Sequence, residues 1–241
     1  MATIRIALFV LFALAVPVLK AQNEAPQPMN SGLCAATGRS LEKSGIEEPL
    51  RQLVEKLSPA DEDAKLTIVT LANFGLCQYT FYSPSQRQTF TYADAQGGMH
   101  ELGRGAPKTE PDALSAFLDL PDAIGVAQQK GMSLPLKSAV LRAAHPADKS
   151  LIAVWVLTPV AAAGSRAQTY YVVASDARHA AQIADIRDVT SDYDPQWNHI
   201  VDPFHGERSA KLSCLQFHSV GHRQVLGRQS CKMGTLATPG G

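Results

Sequence analysis

The spacing of apolar and polar positions changes several times along this chain, and its first regular pattern is helical. Five apolar residues recur at helical spacing: Ile46, Leu50, Leu53, Val54 and Leu57. This spacing places them on one face and predicts an amphipathic helix. Two starts are open, either a capping box of Ser44 with Glu47 or Pro49 as the first helical residue. Pro59 ends the helix, because the residue before a proline avoids helical backbone angles.

A β-rich pattern follows this helix. Four runs are dense in β-branched and aromatic residues or follow a turn signal: Lys65–Leu71, Cys77–Tyr82, Gln88–Tyr92 and the shorter Met99–Leu102. We expect these runs to be strands joined by turns, followed by a linker over Gly103–Glu110. Aromatic residues alternate along one face of the central hairpin, and we expect that face to pack on the helix. They are Tyr79, Phe81, Phe90 and Tyr92.

The second half of the chain repeats the order of helix and strands. Pro121 begins a helical run whose apolar residues continue to a stop at Gly131. Three further runs predict strands: Leu136–Ala143, Leu151–Leu157 and Gln168–Ala174. Trp155 alternates with apolar neighbours in the second of these runs, so we expect it in the core. The repeated order favours a duplication, with two helix-and-sheet units in tandem.

The second half also carries the motifs of a known family. Leu120–Ile124 lies on the predicted helix, and Gln168–Val173 leads to a turn at Asp176. Over Asp112–Ile186 the chain resembles a PepSY-type module, a small unit of helix and antiparallel sheet found in exported bacterial proteins. The usual Asp-x-x-Thr-Gly-Lys turn of that family is replaced here by Ser175–Arg178. The resemblance implies an α+β fold of cystatin- or PepSY-like design and a non-enzymatic role in inhibition or binding.

The N-terminus predicts export. Arg5 precedes an apolar run over Ile6–Leu19 that contains one proline. A membrane-spanning helix needs about 20 apolar residues, so this shorter run fits a signal peptide over residues 1–21 better than an anchor. Cleavage is expected after Ala21, with Ala15 as an earlier choice and an uncleaved anchor as the alternative.

Charge argues against nucleic acid as a partner. The chain has 22 basic and 22 acidic residues, and signal cleavage removes two of the basic ones, so the mature protein is nearly neutral. Its basic residues are scattered, whereas a phosphate-binding surface needs them clustered. No later apolar run approaches membrane length, so we expect a soluble mature protein that is secreted or periplasmic and has no membrane partner.

The four cysteines predict disulfides, because exported proteins meet an oxidising environment. They form two groups near opposite ends of the mature chain: Cys34 with Cys77, and Cys214 with Cys231. Three pairings are possible in principle, and proximity along the chain favours pairing within each group.

The C-terminal cysteines also belong to a cluster whose residue types suit zinc, together with His218 and His222. On a helix the two histidines would be neighbours, but Cys214 and His222 would stand about 12 Å apart. One ion could not reach both. We therefore favour a Cys214–Cys231 disulfide, with both histidines exposed and metal-free, and keep zinc binding as the alternative.

Motifs of the common enzyme classes are missing from the sequence. The chain has no Gly-x-Ser-x-Gly string for a serine nucleophile and no glycine-rich phosphate loop. His100 and Glu101 begin like a zinc-protease motif, but Arg104 stands where the second histidine is required. We therefore expect no catalytic residue and no cofactor.

These patterns divide the chain into a few segments: a signal peptide over 1–21, a disordered tether over 22–33, a first α+β unit over 34–110, a second, PepSY-like unit over 111–195, and a disulfide-stapled tail over 196–241. Trp197 begins the tail, where it is expected to cover a sheet edge or contact a partner. We expect a binding or protease-inhibitory module of the cell envelope or extracellular space, whose partner is an envelope protein or a protease. Two alternatives are a secreted metal-binding or metal-dependent protein that uses the C-terminal His/Cys cluster, and a purely structural component of the envelope.

Overall fold

The computed structural model of this protein describes residues 32–34, 40–57, 61–73, 75, 77–95, 98–144, 152–165, 168–175, 198–201, 212–220 and 223–231. The helices are α1 (Leu41–Ser44), α2 (Glu47–Lys56) and α3 (Leu120–Gln128). The strands are β1 (Lys65–Ala72), β2 (Cys77–Ser83), β3 (Gln88–Ala95), β4 (Gly98–Gly105), β5 (Ala116–Leu118), β6 (Leu136–Ala144), β7 (Ile152–Pro159), β8 (Thr169–Val173), β9 (Asn198–Val201), β10 (Ser213–Val220) and β11 (Arg223–Ser230). The predicted signal peptide and Trp197 lie outside these residues.

The main layer of the fold is a sheet of eight strands in the order β4-β3-β2-β1-β6-β7-β8-β9. Every neighbouring pair is antiparallel except β8 with β9, which is parallel. The predicted α+β class, with helices packed on an antiparallel sheet, is confirmed.

Both halves of the chain contribute to this one sheet. The first predicted strand of each half, β1 and β6, pair at the centre of the sheet from Ile68 opposite Arg142 to Ala72 opposite Ser138. The boundary predicted between residues 110 and 111 therefore does not separate two sheets. The predicted linker also begins too early, because Gly103–Gly105 belongs to β4.

The inner face of the sheet holds the core. The predicted aromatic face is confirmed, since Tyr79 lies opposite Tyr92 and Phe81 opposite Phe90 in the β2–β3 ladder. Tyr79, Phe81 and Phe90 belong to the same buried core cluster as Leu50 and Leu53 of α2, and Tyr92 packs against that cluster. Trp155 is fully buried, as predicted, and its indole nitrogen donates a 2.8 Å hydrogen bond to the Leu118 carbonyl.

The C-terminal hairpin is part of the fold. Strands β10 and β11 pair with each other, and β10 also pairs with β5 in a second sheet of order β11-β10-β5. β9, which falls within the predicted tail, adds to the main sheet beside β8. The tail predicted over 196–241 is thus joined to both sheets by backbone hydrogen bonds, and β5 was not predicted at all.

The predicted tether is wrong at its last residue. Leu33 is fully buried in the core cluster. The next residue, Cys34, donates its amide to the Ala72 carbonyl at 3.0 Å. An apolar side chain and a disulfide partner anchor the chain here, so ordered structure begins before the predicted start.

Helix starts differ from the predicted ones. Ser44 ends the short helix α1, and α2 begins at Glu47 with Pro49 as its third residue, so neither predicted start is right. α3 begins at Leu120 and ends at Gln128, and Gly131 just beyond it adopts a φ of +93°, which suits the predicted stop. Within the described residues, no helix is long and apolar enough to cross a membrane.

Candidate functional site

A groove with a volume of about 280 Å³ lies between α2 and β11. Its lining combines four apolar side chains with charged and polar ones: Val54, Leu57, Val225 and Leu226, with Arg51, Glu55, Glu62, Arg223 and Gln224. We call it the α2–β11 groove. A concave, largely apolar site with a few polar groups at its rim is the usual form of a binding site.

The helix side of this groove is the flank of the predicted apolar stripe. Leu50 and Leu53 lie in the middle of the stripe and are fully buried. Val54 and Leu57 lie at its edge and are only partly buried against the core. The stripe is therefore wider than the core covers, and its uncovered edge lines the groove.

The strand side of the groove is an edge of β11. Val225 and Leu226 are neighbours on a strand and therefore point to opposite faces, yet both line the groove. Leu226 lies opposite Phe217 and is 7% exposed, whereas Val225 lies opposite His218 and is 45% exposed. Residues from both faces of a strand can line the same groove only where the edge of the strand borders it. The edge of β11 therefore borders the groove.

Charges at the rim occur as opposite pairs. The Arg223 Nε donates to Glu62 Oε1 at 3.0 Å, and Arg51 contacts Glu48 and also lies 3.6 Å from Glu55. These pairs are largely exposed, so each contributes only about 0–1 kcal/mol to stability. Their opposite signs leave the rim nearly neutral.

Asp119 fixes the position of α2 relative to β11. Its Oδ1 accepts hydrogen bonds from the amides of Ile46, at 2.9 Å, and Leu120, at 2.8 Å. One carboxylate oxygen thus serves the N-terminal ends of α2 and α3. Its Oδ2 accepts from Arg228 on β11 at 2.7 Å, and Arg228 also donates to Glu47 on α2 at 2.8 Å. The Asp119–Arg228 pair therefore holds two helices and the C-terminal hairpin together.

The electrostatics of this pair suit a structural role. Burial raises the pKa of Asp119, although the two amides and the positive charge of Arg228 act in the opposite direction. Burial also raises the pKa of Asp122, which Arg228 again opposes. Asp119 caps α3 and Asp122 lies in its first turn, and neither carboxyl lines the α2–β11 groove.

A second ionic cluster lies at the far edge of the main sheet. Arg104 donates to both Asp61 oxygens at 2.8 and 2.9 Å and to both Glu101 oxygens at 2.7 and 2.9 Å. Its guanidinium carbon also lies 4.6 Å from the centre of the Phe90 ring. The hydrogen bond from Arg104 lowers the pKa of Glu101, and the two carboxylates raise the pKa of Arg104.

A β-bulge creates this cluster. Tyr92 pairs with Glu101 and Phe90 pairs with Arg104, so Leu102 is the extra residue on β4. Without a bulge, residues three apart on a strand point to opposite faces. The bulge brings Glu101 and Arg104 to one face. It also shows that His100-Glu101 lies on a strand, where the helical zinc-protease motif does not form.

Both predicted disulfides are confirmed. Cys34 bonds to Cys77, and Cys214 bonds to Cys231 across a sequence separation of 17 residues. The Cys214–Cys231 disulfide removes both thiolates that the alternative zinc site would need. That site also assumed a helix, whereas His218 lies exposed on β10. His222 and Trp197 lie outside the described residues, and no group of three or more potential metal ligands occurs among those described.

Replacing Cys214 and Cys231 together with serine is expected to lower the free energy of unfolding by about 3 kcal/mol, because the bond closes a loop that the unfolded chain would otherwise leave open. Urea denaturation of the variant and the wild type measures this difference. Ser219→Ala, on the exposed end of the same hairpin, is the control and should change it by less than about 0.5 kcal/mol. A double serine variant as stable as the wild type would contradict a stabilising role.

Sequence comparison gives no family assignment for this chain. No protein-family model, no curated protein and no solved structure matches it. The resemblance of the second half to PepSY modules therefore stays a prediction, and the function must be argued from the groove.

Proposed function

We propose that this protein is an exported, non-enzymatic binding module that receives part of a partner protein in the α2–β11 groove. The groove itself carries the proposal, because it is a cavity of about 280 Å³ that combines apolar side chains with charged and polar ones and is open at a strand edge. Ligand pockets span about 300–1,000 Å³, so this one is small. It suits one or two apolar side chains of a protein segment better than a large cofactor.

The disulfides support the compartment. Cys34–Cys77 and Cys214–Cys231 indicate an oxidising environment, as found outside the cell or in the periplasm. The predicted signal peptide over residues 1–21 leads to the same place. A partner in the envelope or the extracellular space, including a protease that the module would inhibit, fits both observations.

The strongest electrostatic interactions support a role without catalysis. A carboxylate with a shifted pKa in a cleft is a candidate catalytic group. Here Asp119 is occupied by two backbone amides and Arg228, and Glu101 is occupied by Arg104. Neither lines the groove. Burial accounts for the raised pKa of Asp119 and the hydrogen bond from Arg104 for the lowered pKa of Glu101, and both carboxylates hold elements of the fold together.

Peptide selection tests the proposal. The purified protein is immobilised and panned against a phage-displayed library of random peptides, and the enriched peptides are measured by fluorescence polarisation. We expect peptides that bind the wild type and bind the Val225→Asp variant at least about ten-fold more weakly, because a covering peptide would have to desolvate the new carboxylate.

Leu102→Asp is the matched control for this substitution. Leu102 is also an exposed apolar residue on a strand, 55% accessible, but it lies on β4. The selected peptides should bind this variant as they bind the wild type. If no peptide is enriched, or if both variants weaken binding equally, the groove is not the binding site and the proposed function is wrong.

A further inference from the structure

The backbone of β11 presents hydrogen-bonding groups to the α2–β11 groove. In an antiparallel pair, hydrogen-bonded residue pairs alternate with pairs whose backbone groups point away from each other. The Phe217 amide donates to the Ser115 carbonyl at 3.0 Å, so it points away from β11. Leu226 lies opposite Phe217, and its backbone groups therefore point to the outer edge. Gln224, two residues before it, has the same orientation.

None of the described strands lies beside this outer edge. β11 pairs only with β10 in the described sheet. Within the described residues, the outward backbone amides and carbonyls of Gln224 and Leu226 make no hydrogen bond to protein. An open strand edge of this kind is a template for a further strand.

Helix α2 forms the other side of the groove and restricts how a partner reaches the edge of β11. Arg228 is bonded to Glu47 at the start of α2, and Arg223 to Glu62 beyond its end. These contacts hold the helix beside the strand, so a partner that pairs with the edge of β11 does so within the groove.

The lining also defines the side chains of that segment. Successive side chains of a strand point to opposite sides, so every second one would face Val54, Leu57 and the Leu226 side chain. The rim charges are neutralised in pairs, as Arg223 is by Glu62. A lining with four apolar side chains and balanced charges favours uncharged aliphatic or aromatic residues at these alternate positions and gives no attraction to a charged segment.

We propose that the partner enters the α2–β11 groove as an extended peptide segment with alternating apolar residues and adds to β11 as its next strand. This inference rests on the proposed function, because it specifies how the same groove binds. Main-chain hydrogen bonds to Gln224 and Leu226 hold the segment, and apolar side chains between α2 and β11 select its sequence.

An amide-to-ester scan of a selected peptide tests strand addition. Each ester removes one N–H donor from the peptide with little change in its shape. We expect about five-fold weaker binding at every second position and less than about two-fold change at the positions between, since a single hydrogen bond has a modest effect. Loss at every third or fourth position would indicate a helix in the groove and overturn the inference.

A substitution on β11 makes the same test from the protein side. Gln224→Pro removes the outward amide but none that pairs with β10, and proline is tolerated where an edge amide faces out. Gln224→Ala keeps the amide and, like the proline variant, loses the side-chain bond to Ser219. We expect the proline variant to bind the selected peptide at least about five-fold more weakly than the alanine variant.

Circular dichroism and urea denaturation show whether Gln224→Pro folds. If that variant does not fold, the ester scan on the wild type still tests strand addition. The outcomes separate the two proposals. Alternating losses with weak binding to Gln224→Pro support strand addition. Peptides that depend on Val225 but show a flat ester scan overturn strand addition and leave the groove as the binding site. A selection that enriches no peptide overturns both.

Discussion

Replacing Asp119 with alanine is expected to lower the free energy of unfolding by about 3–5 kcal/mol. Asp119 is only 1% exposed, and its carboxylate accepts hydrogen bonds from the Ile46 and Leu120 amides and from Arg228. Alanine leaves two buried amides without acceptors, each costing about 1–3 kcal/mol. It also leaves Arg228 without its most buried partner, which adds a smaller loss because the Arg228 side chain is 39% exposed.

Asp122→Ala is the matched control for this prediction. Asp122 lies in the first turn of α3, near Arg228, but the distance between the two side chains is 3.7 Å and Asp122 is 38% exposed. Its removal should cost less than about 1 kcal/mol. Urea denaturation of both variants measures the difference. Equal losses would show that Asp119 is not the residue that joins the helices to the hairpin.

Local patterns were sufficient to predict most elements of this fold. The middle of the α2 stripe and the alternating aromatic residues of β2 record burial directly, because helical and strand periodicities place apolar residues on one face. The predicted strand Cys77–Tyr82, for example, is Cys77–Ser83 in the structure. The two disulfides followed from compartment and chain proximity, and Trp155 from its apolar neighbours.

Contacts between distant parts of the chain were not predictable in this way. Asp119 stands just before Leu120-Pro121, so its cap on α3 has a local signal, but its bond to Ile46 spans 73 residues. The bond from Arg228 to Glu47 spans 181 residues. No periodicity encodes such pairings. Sequence patterns therefore place the start of α2 on nearby residues, although the Ile46 amide at that start is capped by Asp119 from the other half of the chain.

The groove was missed for the same reason. Helical spacing places Val54 and Leu57 on the same stripe as the core residues of α2. The sequence predicts only a disulfide-stapled tail where β11 lies. Only the fold shows that Leu53 is the last fully buried residue of the α2 stripe, and that the edge of β11 lies beside Val54 and Leu57. The one available sequence signal was the width of the α2 stripe, which exceeds what packing against a single sheet requires.

Gly45→Ala is expected to destabilise the protein by at least about 3 kcal/mol. Gly45 has a φ of +76° and a ψ of −175°, a backbone region that is essentially restricted to glycine. A Cβ built there would lie 2.2 Å from Asp119 Oδ2. Alanine therefore adds backbone strain of about 1–3 kcal/mol and pushes away the carboxylate that caps both helices.

Gly131→Ala separates these two effects, because Gly131 also has a positive φ, +93°, but a Cβ there meets no atom within 4 Å. Its loss should be the backbone strain alone, about 1–3 kcal/mol. Equal losses at the two glycines would show that close contact with Asp119 is not what makes Gly45 necessary. The double variant Gly45→Ala with Asp119→Ala tests the contact directly by urea denaturation. Without the carboxylate the alanine methyl has space, so the combined loss should be smaller than the sum of the single losses by about 1–3 kcal/mol.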